Sequence, residues 1–300
     1  MFNNLVGKKN FSLDRLATLC QVAEAGSIGA ATGDNANRQS QYSRQIKELK
    51  EFLGVELLDK HSKPHRVTEA GLELSRISRN FLSALDDFVA NCNDQPSKLV
   101  VGAGESLIQW ALIPEVLPKL RKALPDVNVI FKNLQTMPII EALQNGEIDL
   151  GFVRQNAVPK TMKWTGEFTY EYGFFVPKKF RAKLKTPVTI DQIARYPMAV
   201  LEGTGQFRST LDRLAMEAGV ELKFETECSS STQVALLVSR KECCAILPAF
   251  AKSQLDEATI DSFPVKGFKD LERKLCFAWN PKRADIRPDI ERAAKICTTS

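Results

Sequence analysis

Apolar residues recur at helical spacing along the amino-terminal part of the chain, then give way to short apolar runs that alternate with helical patterns. Leu13, Leu16, Cys20 and Ala23 mark the buried stripe of a first helix, which Ser12 caps and Gly26 stops after about Ala25. Ser27 caps a second helix through Ala31, and the turn formers Gly33, Asp34 and Asn35 end it. A third helix spans about Arg38 to Leu53, with Asn37 placed to cap it and Gly54 to end it. Tyr42, Ile46, Leu49 and Leu53 share its core face. Ser40, Arg44, Lys47 and Glu51 lie opposite, because successive residues rotate by roughly 100°. Val55 to Leu58 and His65 to Val67 read as the two strands of a hairpin around Lys60, Ser62, Lys63 and Pro64. Thr68 caps a long helix to about Val89, whose Leu74, Ile77, Phe81, Leu85 and Phe88 form one apolar stripe. That stripe packs either on its own domain or against a second copy of the chain.

Asn91 to Lys98 is polar, carries Pro96 and reads as a linker. Beyond it, strands are expected at Lys98 to Gly102, Val127 to Phe131 and Asp149 to Val153. Helices are expected from Ser106 to about Ala123 and over Pro138 to Gln144, the latter stopped by Gly146. A second unit follows, with strands near Tyr172 to Val176, Ala199 to Leu201 and Phe224 to Cys228, and helices about Phe207 to Ala218 and Thr232 to Ser239. Alternation of this kind implies parallel sheets with helices on their faces.

Composition narrows the function classes. A length of 300 residues allows two or three domains, and a net charge of +5 permits an acidic partner without demanding one. The basic excess is local: from Arg38 to Arg66 there are seven bases against four acids. The seven cysteines show no Cys-x-x-Cys spacing and an odd count, which suits a reducing cytoplasm better than a disulfide framework. Neighbouring Cys243 and Cys244 read as buried structural thiols rather than a redox sensor. No signal-peptide core or membrane-length apolar run is present, so a cytoplasmic protein without a membrane partner is expected. The two histidines, His61 and His65, both sit in the hairpin and read as solvated rather than metal-binding. No histidine is left for a nucleophile system elsewhere, so neither an enzyme, a metal nor a cofactor is expected.

Two short helices, a helix with a polar outer face and a basic hairpin, in that order, make a winged helix-turn-helix over residues 1–67. Arg38, Gln39, Ser40 and Gln41, in the first turns of the third helix, are the candidate base readers. Arg suits guanine O6 and N7, and Gln suits adenine N6 and N7. Ser43, Arg44 and Lys47, with Lys60, Lys63 and Arg66 on the wing, are candidate phosphate contacts, and Ser27 at the start of the second helix is a further candidate DNA-binding residue. The bland alternative is a solvated amphipathic face.

AEAGSI (Ala23 to Ile28), SRQIKELKEFLGVELL (Ser43 to Leu58) and VTEAG (Val67 to Gly71) resemble the matching segments of LysR-type transcriptional regulators without a gap. The chain departs from the family between them. The family usually closes helix two with apolar residues and opens helix three with Ser-Gln-Pro, where this chain has Asn35, Asn37, Arg38, Gln39 and Ser40, and only Gln39 matches. VVGAGESL, LQNGEIDLGFV and AILPAF resemble the two-lobed, periplasmic-binding-protein-like effector domain of the same family.

The resemblance implies a linker or dimerisation helix and hinge over 68–97, coiled against its twin, and an α/β effector domain over 98–300. Lobe 1 would span about 98–164 and 265–300 and lobe 2 about 165–264, with crossings near Thr165 and Pro264. It implies double-stranded DNA and a small-molecule effector as partners, and a homodimer or homotetramer. Ligands in such folds sit where strand ends and helix starts converge. That selects Gly104, Glu105, Ser106, Thr136, Arg154, Gly203, Thr204, Gly205, Ser231 and Thr232, with Arg208 as a further charge. Helix starts and arginines favour an anion such as a small carboxylate, whereas Glu105 favours a ligand that also carries an amine. The reading is a ligand-responsive DNA-binding regulator; the alternative is a small-molecule receptor or enzyme on a binding-protein fold without DNA binding.

Overall fold

A computed structural model describes residues 11–33, 35–59, 62, 64–93, 96–180 and 184–298. Lys60, His61 and Lys63 lie outside the described residues. The amino-terminal module holds α1 (Leu13–Ala25), α2 (Ile28–Thr32) and α3 (Ala36–Leu53). Their ends follow local chemistry. Ser12 and Ser27 each accept a backbone N–H of the first turn, and Gly26 and Gly54 close α1 and α3 in the left-handed conformation.

The cap of α3 is Asn35, not Asn37. Asn35 has the extended backbone that follows the turn at Gly33, and its Oδ1 accepts the Arg38 N–H at 3.0 Å, whereas Asn37 is already inside the helix. The stripe of α1 also differs, since Leu13 is exposed at the helix start and Leu19 and Val22 fill the core beside Leu16. On α3, Tyr42, Ile46, Leu49 and Phe52 are buried. The described part of the hairpin is held by a bridge between Leu58 and Val67, and the Asp59 N–H donates to the Arg66 carbonyl at 2.8 Å.

Thr68 starts α4 (Glu69–Cys92) by accepting the Gly71 N–H on its hydroxyl. The expected single stripe divides into two faces. Ser75 and Ser78 are buried, with the Cys20 thiol donating to the Ser75 carbonyl, and Leu74 and Leu82 pack on the amino-terminal core. Ile77, Phe81 and Phe88, exposed by 57%, 44% and 65%, point away.

The rest of the chain forms two lobes. In the first, β1 (Ser97–Ala103), β2 (Val127–Asn133), β3 (Leu150–Arg154), β4 (Lys163–Tyr170) and β10 (Arg273–Trp279) make one sheet in the order β2-β1-β3-β10-β4. α5 (Glu105–Leu107) continues through a wider π-helical stretch (Ile108–Val116) into α6 (Leu117–Ala123). This run and α12 (Asp289–Thr298) cover one face of the sheet, while α7 (Thr136–Asn145) covers the other. α11 (Pro281–Ile286) leads from β10 into α12.

The second lobe pairs β8 (Ala245–Pro248), β5 (Tyr172–Pro177) and β9 (Ile260–Pro264) in one sheet and β6 (Met198–Leu201) with β7 (Phe224–Cys228) in another. α8 (Ile190–Ile193), α9 (Gln206–Ala218) and α10 (Ser231–Ser239) complete it. The first lobe's sheet is therefore mixed, the β8-β5-β9 sheet is antiparallel, and only the β6-β7 pair is wholly parallel as expected. β10 returns from the second lobe antiparallel to β3 and β4, and β5 is antiparallel to both its neighbours. The crossings fall at Glu171 and Glu272 rather than near Thr165 and Pro264, because β4 stays paired with β10 as far as Tyr170 opposite Arg273.

One buried carboxylate ties these parts together. Asp149, 1% exposed, accepts the Val100 N–H at 2.8 Å, Arg283 Nε at 2.7 Å and an Arg287 guanidinium N–H at 2.8 Å. Arg287 continues to Asp87 on α4 at 2.6 Å, and Arg283 to Asn80 Oδ1 at 3.3 Å. Arg79, on the same helix, reaches Glu24 of α1 at 3.5 Å and Glu147 before β3 at 3.9 Å. No described helix is long and apolar enough to cross a membrane.

Removing Asp149 leaves the buried Arg283 guanidinium without a carboxylate and Arg287 with Asp87 alone, so Asp149→Ala is expected to destabilise the chain by about 3–5 kcal/mol and Asp149→Asn by less. Trp110, Trp164 and Trp279 all lie in the two lobes, so urea unfolding followed by tryptophan fluorescence checks this.

Candidate DNA interface and interlobe cleft

The first half of α3 is presented outward. Arg38, Gln39, Ser40, Gln41, Ser43, Arg44 and Lys47 are all exposed, on a helix clamped to α1 from behind. The clamp is polar as well as apolar: Thr18 donates to Gln45 Oε1 at 2.6 Å, and Arg15 Nε donates to Glu48 at 2.8 Å. Arg44 and Lys47 pair with Glu48 and Glu51 one turn on, at 3.3 and 3.9 Å. Lys47 and Glu51 are both solvent-exposed, and Arg44 is exposed while the half-buried Glu48 is also held by Arg15, so either cation can exchange its partner for a phosphate. Arg66 is exposed on the wing, its N–H held by the Ser62 hydroxyl at 2.9 Å. Ser27 caps α2 as expected, its hydroxyl accepting the Ala30 N–H, and is buried rather than presented outward with the other candidates. Lys60 and Lys63 fall outside the described residues. Arg38 is not a free side chain either, because its guanidinium donates to the Tyr42 hydroxyl at 2.9 Å. Periodicity had identified Tyr42 only as a core residue.

Between the lobes lies a cavity of about 450 Å³. Of the expected residues, Gly104, Ser106, Thr136 and Arg154 line it, at the ends of β1 and β3 and the start of α7. Gln135, Phe152, Tyr170, Tyr172, Gln206, Phe207 and Arg273 join them. The Tyr172 and Phe207 rings stack at 5.1 Å and form an aromatic wall. Burial pushes the Tyr170 phenol well above its ordinary pKa and raises that of Tyr172, so both stay neutral. The Arg154 charge acts on both phenols in the opposite direction to burial. Arg273 spans the lobes by donating to Gln206 Oε1.

The remaining expected effector residues stand elsewhere. Gly203, Thr204 and Gly205 form an exposed turn before α9 and do not line the cavity. Glu105 does not line the cavity and accepts the Thr232 hydroxyl at 2.7 Å, a second bond between the lobes. Ser231 is the first residue of α10, whose cap is Ser230. Arg208 is held by Asp212 at 3.3 Å and Glu227 at 3.0 Å, over the Phe224 ring. Sequence patterns found the strand-end residues and missed the aromatic wall and Arg273, which only the closure of one lobe on the other brings together.

The two halves match two family models. Residues 13–72 match the bacterial regulatory helix-turn-helix protein of the lysR family, and residues 93–295 match the LysR substrate binding domain. The chain belongs to the LysR family of transcriptional regulators. Among its relatives is the uncharacterized HTH-type transcriptional regulator YnfL of Escherichia coli, 25% identical over 256 residues that cover 83% of this chain and 86% of that protein. The fold is shared with a full-length OxyR variant from Pseudomonas aeruginosa, with a TM-score of 0.63 at 20% identity, covering 96% of this chain and 94% of that one. It is shared also with full-length CbnR in complex with its target DNA, with a TM-score of 0.55 at 19% identity, covering 96% and 100%. As a LysR-type regulator, the chain is a ligand-responsive DNA-binding protein. The helix-turn-helix match spans α1 to the first turn of α4, and the substrate-binding match spans both lobes.

Burial pushes the thiol of Cys243 up to about 11 and those of Cys244, Cys276 and Cys297 up to about 12, so at neutral pH they remain protonated and unreactive. Iodoacetamide applied to the native protein at pH 7.5 is therefore expected to label the exposed Cys92 and to leave these four unmodified until denaturant is added, as read by peptide mass spectrometry.

Proposed function

We propose that this regulator reads its operator with Arg38, Gln39, Ser40 and Gln41 in the major groove. Ser43, Arg44, Lys47 and Arg66, with Lys60 and Lys63 of the wing, neutralise phosphates on either side. The observation that carries this reading is the outward presentation of α3's first turns, stripped of apolar residues and backed by a rigid α1. The active species is a homodimer or homotetramer in the cytoplasm. The apolar residues Ile77, Phe81 and Phe88, left exposed on α4, support pairing through that helix. The effector is a small anion with a flat apolar body. Arg154 and Arg273 supply charge, the neutral phenols of Tyr170 and Tyr172 supply hydrogen bonds, and Phe207 supplies a stacking face. No side-chain set for turnover is proposed, and the chain is not an enzyme.

Footprinting on the DNA flanking its own gene is expected to show protection that weakens steeply with salt; no protection by folded protein at low salt refutes the reading. Arg44→Ala is expected to weaken all operators alike and to lower the salt slope by about 1, whereas Arg38→Ala removes about 1–3 kcal/mol of base discrimination at one position. In calorimetric titrations with aromatic and aliphatic carboxylates, Arg154→Ala is expected to lower the affinity of any that bind by about tenfold or more.

A further inference from the structure

Arg38 occupies the first turn of α3, where an exposed arginine ordinarily samples many rotamers and must be ordered when it meets a base. Here it is already held. Its guanidinium donates to the Tyr42 hydroxyl at 2.9 Å, and its central carbon lies 5.4 Å from the centre of the Tyr42 ring. Tyr42 is 7% exposed and packs in the core between α1 and α3. Its hydroxyl proton is given to Oε1 of Gln21, on α1. A phenol has one proton to donate, so with that proton committed to Gln21 the oxygen turns only lone pairs toward Arg38. The guanidinium spends one of its five N–H groups on this contact and keeps the others for a guanine edge.

We infer that Tyr42 is a positioning residue for sequence readout: through the Gln21–Tyr42–Arg38 chain, α1 fixes where the Arg38 guanidinium stands before DNA arrives. This rests on the proposed role of Arg38 as a base reader. The ring of Tyr42 serves the core, but the hydroxyl serves only its two polar partners. The two functions therefore separate in Tyr42→Phe, which keeps the packing.

The test is selection of operators from a randomised DNA pool by the full-length protein, followed by affinity measurements on single-base variants. Arg38→Ala should flatten the preference at one base pair in each half-site. Tyr42→Phe should lower the preference at that same pair by about three- to tenfold, while the salt slope and the thermal midpoint stay as in the parent. Gln21→Ala, at an exposed position of α1, should give a smaller loss at the same pair and offers a second approach that leaves the core untouched. In the double variant, Tyr42→Phe should add nothing to Arg38→Ala. Unchanged preference in Arg38→Ala overturns the base-reading role and this inference with it. A flattened pair in Arg38→Ala that neither Tyr42→Phe nor Gln21→Ala affects, or additive losses in the double variant, overturns the positioning role alone.

Discussion

A carboxylate removed from water is tolerated only where its oxygens are fully engaged, and Asp149 meets that condition with one backbone N–H and two guanidinium groups. The three donors come from two distant parts of the chain. Val100 belongs to β1, while Arg283 and Arg287 come from the far end of the chain around α11. Because Arg287 also pairs with Asp87 and Arg283 with Asn80, the placement of α4 against the first lobe depends on the same charge. Gly146 completes the joint. A side chain there would meet Asn80 Oδ1 at 2.5 Å, and its positive φ already excludes most residues. Arg79 makes a second joint through Glu24 of α1 and Glu147 before β3, so the DNA module, the linker helix and the first lobe are linked by two separate sets of ion pairs.

The site chemistry follows from where this joint sits. Asp149 immediately precedes β3, and Arg154 ends it, so one strand has the structural charge at its start and a cleft charge at its end. The recognition surface is set by α1 in the same indirect way. Its apolar face seats α3, and Thr18, Arg15 and Gln21 each engage a polar side chain of that helix. Specificity residues on α3 thus depend on a helix that is not proposed to touch a base.

The parts governed by local signals were legible in the sequence. Serine caps and terminal glycines marked α1 and α2, and Gly54 marked the end of α3, because a cap acts over three residues. The Asn35 cap was obscured by Asn37, since both suit the role by type and only the backbone turn decides between them. The cleft was half legible. Gly104, Ser106, Thr136 and Arg154 announce themselves at strand ends and helix starts, whereas Tyr170 and Arg273 belong to strands that exist through long-range pairing. β10 carries a short apolar run that Asn280 and Pro281 bound at one end only, and β4 alternates around Gly166, so neither stood out from its surroundings. Glu105 was misassigned for a related reason: a carboxylate at a helix start looks like a ligand contact until its partner on the other lobe is known.

The lobes meet through two single-residue passages, Glu171 and Glu272, side by side at the end of a paired ribbon. Two polar contacts bridge the lobes beside these passages, Arg273 to Gln206 and Thr232 to Glu105. Trp110 of the first lobe is also buried in the second lobe's core, and its carbonyl accepts the Ser253 hydroxyl at 3.0 Å, so parting the lobes would cost apolar packing as well as hydrogen bonds.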